Sequence, residues 1–153
     1  MAASAFTYTI YIRAALESVW RALRTPEFTR QYWCETWQDS AWETGATWRL
    51  MAPDGRVADT GEVVAIDPPR KLVLCWRHQL QPDLRAEGNT LCTYELEQAD
   101  DAVKLTVRHE SEIAGSKLIE DFARGWPPIL SSLKSLLETG APLELTRRWA
   151  ESV

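Results

Sequence analysis

The sequence is poor in the features that mark several large function classes. No Lys/Arg run is longer than the pair Arg147-Arg148, and 22 acidic against 17 basic residues leave a net charge of −5. Proteins that bind nucleic acid by neutralising phosphates carry a basic stripe, and none is present. The three cysteines, at 34, 75 and 92, form no C-x-x-C. An odd count without metal-ligand spacing argues against a disulfide framework or a zinc site and reads as reduced thiols. The longest apolar runs, such as residues 72–76, are far too short to span a bilayer. The first positive side chain is Arg13, with no basic cluster ahead of an apolar stretch, so no secretory signal is expected and the cytoplasm is the expected location. There is no G-x-G-x-x-G, P-loop or G-x-S-x-G, so the sequence calls for no nucleotide, no cofactor and no serine nucleophile. Only two histidines, His78 and His109, are available as bases.

What is present is a soluble globular mix, 45% hydrophobic and 25% charged, over 153 residues, with eight Trp against three Phe. A chain of this length buries roughly two thirds of its unfolded surface around one core. We expect one domain over residues 1–140 and a tail or short extra helix, containing Trp149, over residues 141–153. Residues 6–12 alternate, with Phe6, Tyr8, Ile10 and Ile12 on one face, which is a half-buried strand. Leu16, Val19, Trp20 and Leu23 then recur at helical spacing before Pro26, and Pro26-Glu27 opens a second short helix to about Tyr32. Aromatics crowd its exit at Tyr32, Trp33, Trp37 and Trp42. Five further strands follow at 47–51, 57–66, 72–78, 90–97 and 103–110, joined by turns such as Pro53-Asp54-Gly55 and Asp67-Pro68-Pro69-Arg70. Residues 79–89 read as a looser segment.

Residues 116–138 form the long helix, with Leu118, Ile119, Phe122, Trp126, Ile129, Leu130, Leu133, Leu136 and Leu137 in one stripe, Ser116 as N-cap and Gly140 as stop. Gly125 and Pro127-Pro128 predict a kink or a division into two pieces. Strand parity sets the inward face: Leu72, Leu74, Trp76 and His78; Cys92, Tyr94 and Leu96; Val103, Leu105, Val107 and His109. In strand 57–66, Gly61, Val63 and Ala65 are assigned inward, with a bulge near the end because apolar residues fall on both parities. The expected fold is α+β: a curved six-stranded antiparallel sheet closed on one face by a long C-terminal helix, with a cavity between them.

Several segments resemble the SRPBCC, or START-like, superfamily. These are Val19-Trp20, Thr25-Pro26-Glu27 followed by Trp33, residues 48–55, residues 61–76 ending at Trp76, residues 94–97, residues 105–110, and Gly125-Trp126 ahead of residues 133–138. Within it, they are most similar to bacterial members of the family named for the C-terminal domain of the activator of the heat-shock protein 90 ATPase. The resemblance runs from about Thr7 to Glu138. It implies a helix-grip fold with a deep hydrophobic cavity, an interior suited to small lipophiles, and in some branches aromatase/cyclase chemistry. It brings no family-wide catalytic residue, and the chain is expected to lack the extra N-terminal domain of the eukaryotic co-chaperone.

The first functional expectation is therefore binding of a small hydrophobic ligand, aromatic, lipid-like or polyketide-like. Its lining would be Trp33, Trp37, Trp76, His78, Tyr94, Leu105, Val107, His109, Phe122, Trp126 and Leu130. Trp20, on the stripe of its short helix, is expected in the core. The second is a cyclase or hydrolase using His109 or His78 as acid/base with Tyr94 as donor. The third is a co-chaperone-like module stimulating a chaperone ATPase. Either histidine also has a plain structural reading, as a rim residue satisfied by water or backbone. Cys75 and His78 fall on opposite faces of one strand, so no metal site is expected there. Glu35, Asp39, Glu43, Glu110 and Glu112 are read mostly as solvated surface. Leu143, Leu145 and Trp149 offer an apolar patch through which the chain can form a homodimer.

Overall fold

A computed structural model describes residues 2–149. The chain runs β1 (Ser4–Ile12), α1 (Leu16–Arg24), α2 (Pro26–Tyr32), β2 (Trp37–Ser40), β3 (Thr47–Met51), β4 (Val57–Asp67), β5 (Lys71–His78), α3 (Pro82–Arg85), β6 (Asn89–Ala99), β7 (Ala102–Ser111) and α4 (Lys117–Thr139), with a 3-10 turn at Glu144–Thr146. The sheet is antiparallel in the order β1-β7-β6-β5-β4-β3-β2. A meander from β2 to β7 is thus completed by β1, which returns beside β7. α4 packs across the concave face, and the result is a helix-grip fold of the α+β class. No helix among the described residues is long and apolar enough to cross a membrane.

Strand parity places the core as expected. Leu74, Cys92, Val103, Leu105 and Val107 are fully buried, with Tyr94 and Trp76 nearly so, and Trp20 joins them from α1. The sheet has seven strands rather than the six expected. The missed one, β2, reads Trp-Gln-Asp-Ser and shows no alternation, because its inward residue is the polar Gln38. That side chain is buried between two partners: its Nε2 donates to the Leu23 carbonyl at 2.7 Å, and its Oε1 accepts from Trp48 Nε1 at 3.1 Å. A buried amide with both ends bonded can replace an apolar residue without loss.

In β4 the bulge falls between Val63 and Ala65. Val64 bulges outward and is 46% exposed, and the parity then reverses. Ala65 is outward and Ile66 packs on the core, correcting the inward assignment of Ala65. Gly61 is required by the neighbouring strand, since a Cβ there would lie 1.7 Å from the Cys75 carbonyl oxygen.

α4 is one helix from Lys117 to Thr139, so of the two expectations the division into two pieces is overturned. Each proline removes one N–H and costs about 3 kcal/mol in an isolated helix interior. The buried stripe on both sides, Leu118, Ile119, Trp126, Leu130, Leu133 and Leu136, holds the helix against the sheet and outweighs that cost. Ser116 caps it by accepting from the Ile119 N–H at 3.2 Å, and Gly140 ends it at φ 87°. Residues 141–149 turn back over α4, where the Leu143 N–H donates to the buried Ser132 Oγ at 2.9 Å. The remainder of the expected tail, residues 150–153, lies outside the described residues.

Candidate functional site

Much of the concavity under α4 is filled by aromatic side chains. Trp76, on β5, is the centre of the cluster, with its ring centroid 4.5 Å from Trp48, 5.1 Å from His109, 5.6 Å from Phe122, and 6.0 Å from both Trp33 and Trp126. Most of these pairs are tilted or edge-on, the arrangements the ring quadrupoles favour, and each contributes roughly 0.5–1.5 kcal/mol beyond burial. Tyr94 meets Trp126 edge-on at 5.9 Å and closes the cluster below.

What remains open is a cavity of about 240 Å³ at one end of the grip. Trp33, Cys34 and Thr36 come from the loop after α2, Leu50, Ala58 and Asp59 from β3 and β4, and Trp76 and His78 from β5. Leu80, Gln81 and Leu84 come from the segment around α3, and Leu118, Asp121, Phe122, Gly125, Trp126 and Ile129 from the first half of α4. Trp149 lies across it from the C-terminal segment. A Cβ added to Gly125 would meet nothing within 4 Å, so this glycine leaves room where a side chain would stand.

Of the residues expected to line a cavity, Trp33, Trp76, His78, Phe122 and Trp126 do so. Trp37, Tyr94, Leu105, Val107, His109 and Leu130 do not. Trp37 sits on the edge strand with the Arg30 guanidinium 5.5 Å from its ring. Leu105, Val107, His109 and Leu130 are fully buried, and Tyr94 is only 2% exposed, beneath the tryptophans that fill the groove. Parity identifies an inward face but not the depth to which neighbouring rings fill it. Asp59, Gln81, Leu84 and Asp121 line the cavity as well, beyond the residues expected there. For Asp59 a signal existed, because the turn at Asp67–Arg70 sets it opposite His78 once the bulge is counted.

The two histidines differ in kind. His109 stacks on Phe122 at 3.7 Å, and both ring nitrogens are engaged. Thr90 Oγ1 donates to the Trp76 carbonyl at 3.0 Å, so it accepts from His109 Nε2–H at 2.8 Å, while Trp126 Nε1–H approaches Nδ1 at 3.4 Å. Burial pushes the imidazole pKa down to about 3, so the ring is neutral at physiological pH. Both nitrogens are thus engaged within the fold, the arrangement of a histidine that supports packing. Tyr94 does not line the cavity, and burial pushes its phenol well above its ordinary pKa, so it stays protonated.

His78 does reach the cavity, with 14% of its side chain exposed. Its Nε2 accepts from the Gln81 N–H at 3.1 Å, which leaves the proton of the neutral ring on Nδ1, facing Asp59 Oδ1 at 3.2 Å. The ring is thereby held between a backbone donor and a carboxylate. The acidic residues read as surface behave so: Asp39 pairs with Arg49, and Glu110 faces Arg108 at 3.5 Å. Among the described residues no three His, Cys, Asp or Glu side chains gather to hold a metal ion.

The loop that carries Cys34 is strained. Cys34 and Glu35 both have left-handed backbone, at φ 51° and 62°, which L-residues other than Gly, Asn and Asp seldom adopt. Bonds to the C-terminal segment hold it there: the Cys34 N–H donates to the Thr146 carbonyl at 2.7 Å, and Glu35 Oε2 accepts from the Trp149 N–H at 3.1 Å. Trp149, expected in an exposed self-association patch with Leu143 and Leu145, is instead half-buried at the cavity. Leu145 is exposed at 67%. Burial, helped by Glu35, raises the Cys34 thiol pKa, so it stays protonated.

Fold and cavity define a helix-grip domain with a small aromatic-walled pocket beneath its C-terminal helix. The chain belongs to the Activator of Hsp90 ATPase homolog 1-like family, whose model matches residues 13–138. Among solved structures it is similar to protein MLL2253 from Mesorhizobium loti, with 20% identity over 88% of this chain and 97% of that one, at a TM-score of 0.75. It is also similar to the Aha1 dimer from Colwellia psychrerythraea, with 19% identity over 90% of this chain and 98% of that one, at a TM-score of 0.72. A third is DynU16, a protein of the dynemicin biosynthetic locus, with 22% identity over 90% of this chain and 48% of that one, also at 0.72. No curated protein matches the chain.

Proposed function

We propose that this protein binds a small, flat, largely apolar molecule non-covalently in the cavity between α4 and the sheet. The observation that carries the reading is the cavity itself, an open volume of about 240 Å³ walled by Trp33, Trp76, Phe122, Trp126 and Trp149. Few convergent polar groups on a mostly apolar wall are the usual composition of a ligand site. The volume falls just under the range of roughly 300–1,000 Å³ usual for drug-sized ligands, so the occupant is a one- or two-ring aromatic or a short acyl segment. Catalysis is the weaker reading, because His109 is internally bonded and His78 Nε2 is occupied by a backbone N–H. Chaperone stimulation rests on the family name.

The test is native mass spectrometry of freshly purified protein, followed by thermal-shift screening with fatty acids, flavonoids and polyketide-like aromatics. The last class is included because DynU16 belongs to a biosynthetic locus. A ligand at 100 times its Kd adds about 2.7 kcal/mol to the folded state and raises Tm by several degrees. A carried mass or such a rise with one class supports the proposal. No carried mass and no shift across the panel would end it.

A further inference from the structure

The charge of the cavity wall says more about the ligand than its shape does. Among the described residues the lining holds two carboxylates, Asp59 and Asp121, and no Lys or Arg. His78 is the single lining group among the described residues that can bear a positive charge, so the carboxylates of the lining outnumber its basic groups. Cys34, kept protonated, adds nothing to this balance. Asp121 is largely answered by the exposed Arg124, with which it pairs. Asp59 is different, for its side chain is only 8% exposed. One of its oxygens faces His78 Nδ1, and the other, Oδ2, has no hydrogen-bond partner among the described residues.

We infer that this cavity selects a cationic aromatic, an aryl-alkyl ammonium, over a carboxylate of the same shape, with Asp59 as the residue that sets the preference. The inference rests on the proposed binding function. Two physical effects act together. A carboxylate in a concave, poorly hydrated site acts through a low local dielectric, which strengthens attraction for a cation and repulsion of an anion. Trp33, Trp76 and Trp126 line the same cavity, and aromatic rings attract a cation through their quadrupole, as in aromatic cages for quaternary amines. An anionic headgroup would meet Asp59 without a single basic partner in the lining, the unpaired-charge penalty by which sites exclude wrong ligands.

A matched series tests it: 2-naphthylmethylamine, 2-naphthylmethanol and 2-naphthoate, titrated at about neutral pH by tryptophan fluorescence and calorimetry. The amine is expected to bind at least about tenfold more tightly than 2-naphthoate, the step that 1.4 kcal/mol produces, with the alcohol between them. Asp59→Asn is expected to close that ratio to within about threefold, reading the loss of a charge rather than of shape. A wild-type protein that binds 2-naphthoate as tightly as the amine overturns the inference, and so does a folded Asp59→Asn that keeps the ratio. If Asp59→Asn does not fold, the wild-type ratio decides alone. The alcohol separates the two levels of argument. Binding of the alcohol without charge discrimination removes only the selectivity, whereas failure of all three removes the proposed function and the selectivity with it.

Discussion

His109 permits a quantitative prediction because its environment is unambiguous. The ring is fully buried, stacked on Phe122, bonded through both nitrogens, and its pKa is lowered by burial from 6.5 to about 3. The unfolded chain therefore takes a proton in a range where the folded protein refuses one. The stabilisation from this group is complete above about pH 6.5 and is lost progressively as pH falls from there toward about 3. At 1.36 kcal/mol per pH unit, the loss between about pH 7.5 and about pH 4.5 amounts to roughly 2.5–3 kcal/mol. Carboxylates titrate in the same window, so the comparison is with His109→Gln, which keeps a donor and an acceptor but cannot ionise. Both proteins are unfolded with urea at the two pH values, and m is checked for constancy. His109→Gln starts less stable, yet its loss on acidification should be smaller than that of the parent by roughly 2.5 kcal/mol. Equal losses in the two proteins would mean that His109 titrates normally in the fold, and the assignment of a neutral, satisfied ring would be wrong.

Three further outcomes are expected. Gly125→Ala adds a methyl where nothing lies within 4 Å and should stabilise α4 by about 0.5–1 kcal/mol, raising Tm by a few degrees in a thermal melt; destabilisation would show that the space beside Gly125 is not open. Gln38→Leu strands the Trp48 indole N–H and the Leu23 carbonyl together, so urea melts should show a loss of roughly 2–4 kcal/mol although an apolar group has been added to the core; a neutral effect would refute the bridging role. Trp149→Ala removes one wall of the cavity and should speed association of a fluorescent apolar dye severalfold in stopped-flow, with under about 1 kcal/mol lost from stability because the residue is half-buried; unchanged association would show that Trp149 does not restrict access.

Most of the architecture was legible because it rests on period. The alternation in β1, β5, β6 and β7 and the stripe of α4 each bury one face, and a face that must be buried is written into the sequence at a spacing of 2 or 3.6 residues. The elements that escaped are those for which burial is not apolar or tertiary contacts override local preference. β2 turns an amide inward, so its four residues show no alternation, yet Gln38 is as firmly placed as any leucine. In α4, Pro127-Pro128 carries a strong local signal for a break, and the stripe on both sides overrules it. The α3 turn is a single turn of helix that follows Gln81 within a polar stretch, and Leu84 alone anchors it.

The candidate site was less legible for a reason that follows from its chemistry. Its wall is assembled from separate stretches, the 33–36 loop, strands β3, β4 and β5, the 80–84 segment, α4 and Trp149, and no short motif spans them. Inward parity told correctly which side of the sheet His109, Leu105 and Val107 occupy. The outcome above that face was decided by volume: Trp48, Trp76, Trp33 and Trp126 together fill the centre of the grip and leave open only the end beside Gly125. The abundance of tryptophan that suggests a large pocket is thus what makes the pocket small. The same packing explains why His109 is neutral and structural while His78, two strands away at the open end, is paired with a carboxylate that still has an oxygen to offer. Position relative to the tryptophan cluster, more than residue type, separates the histidine buried in the fold from the one that reaches the cavity.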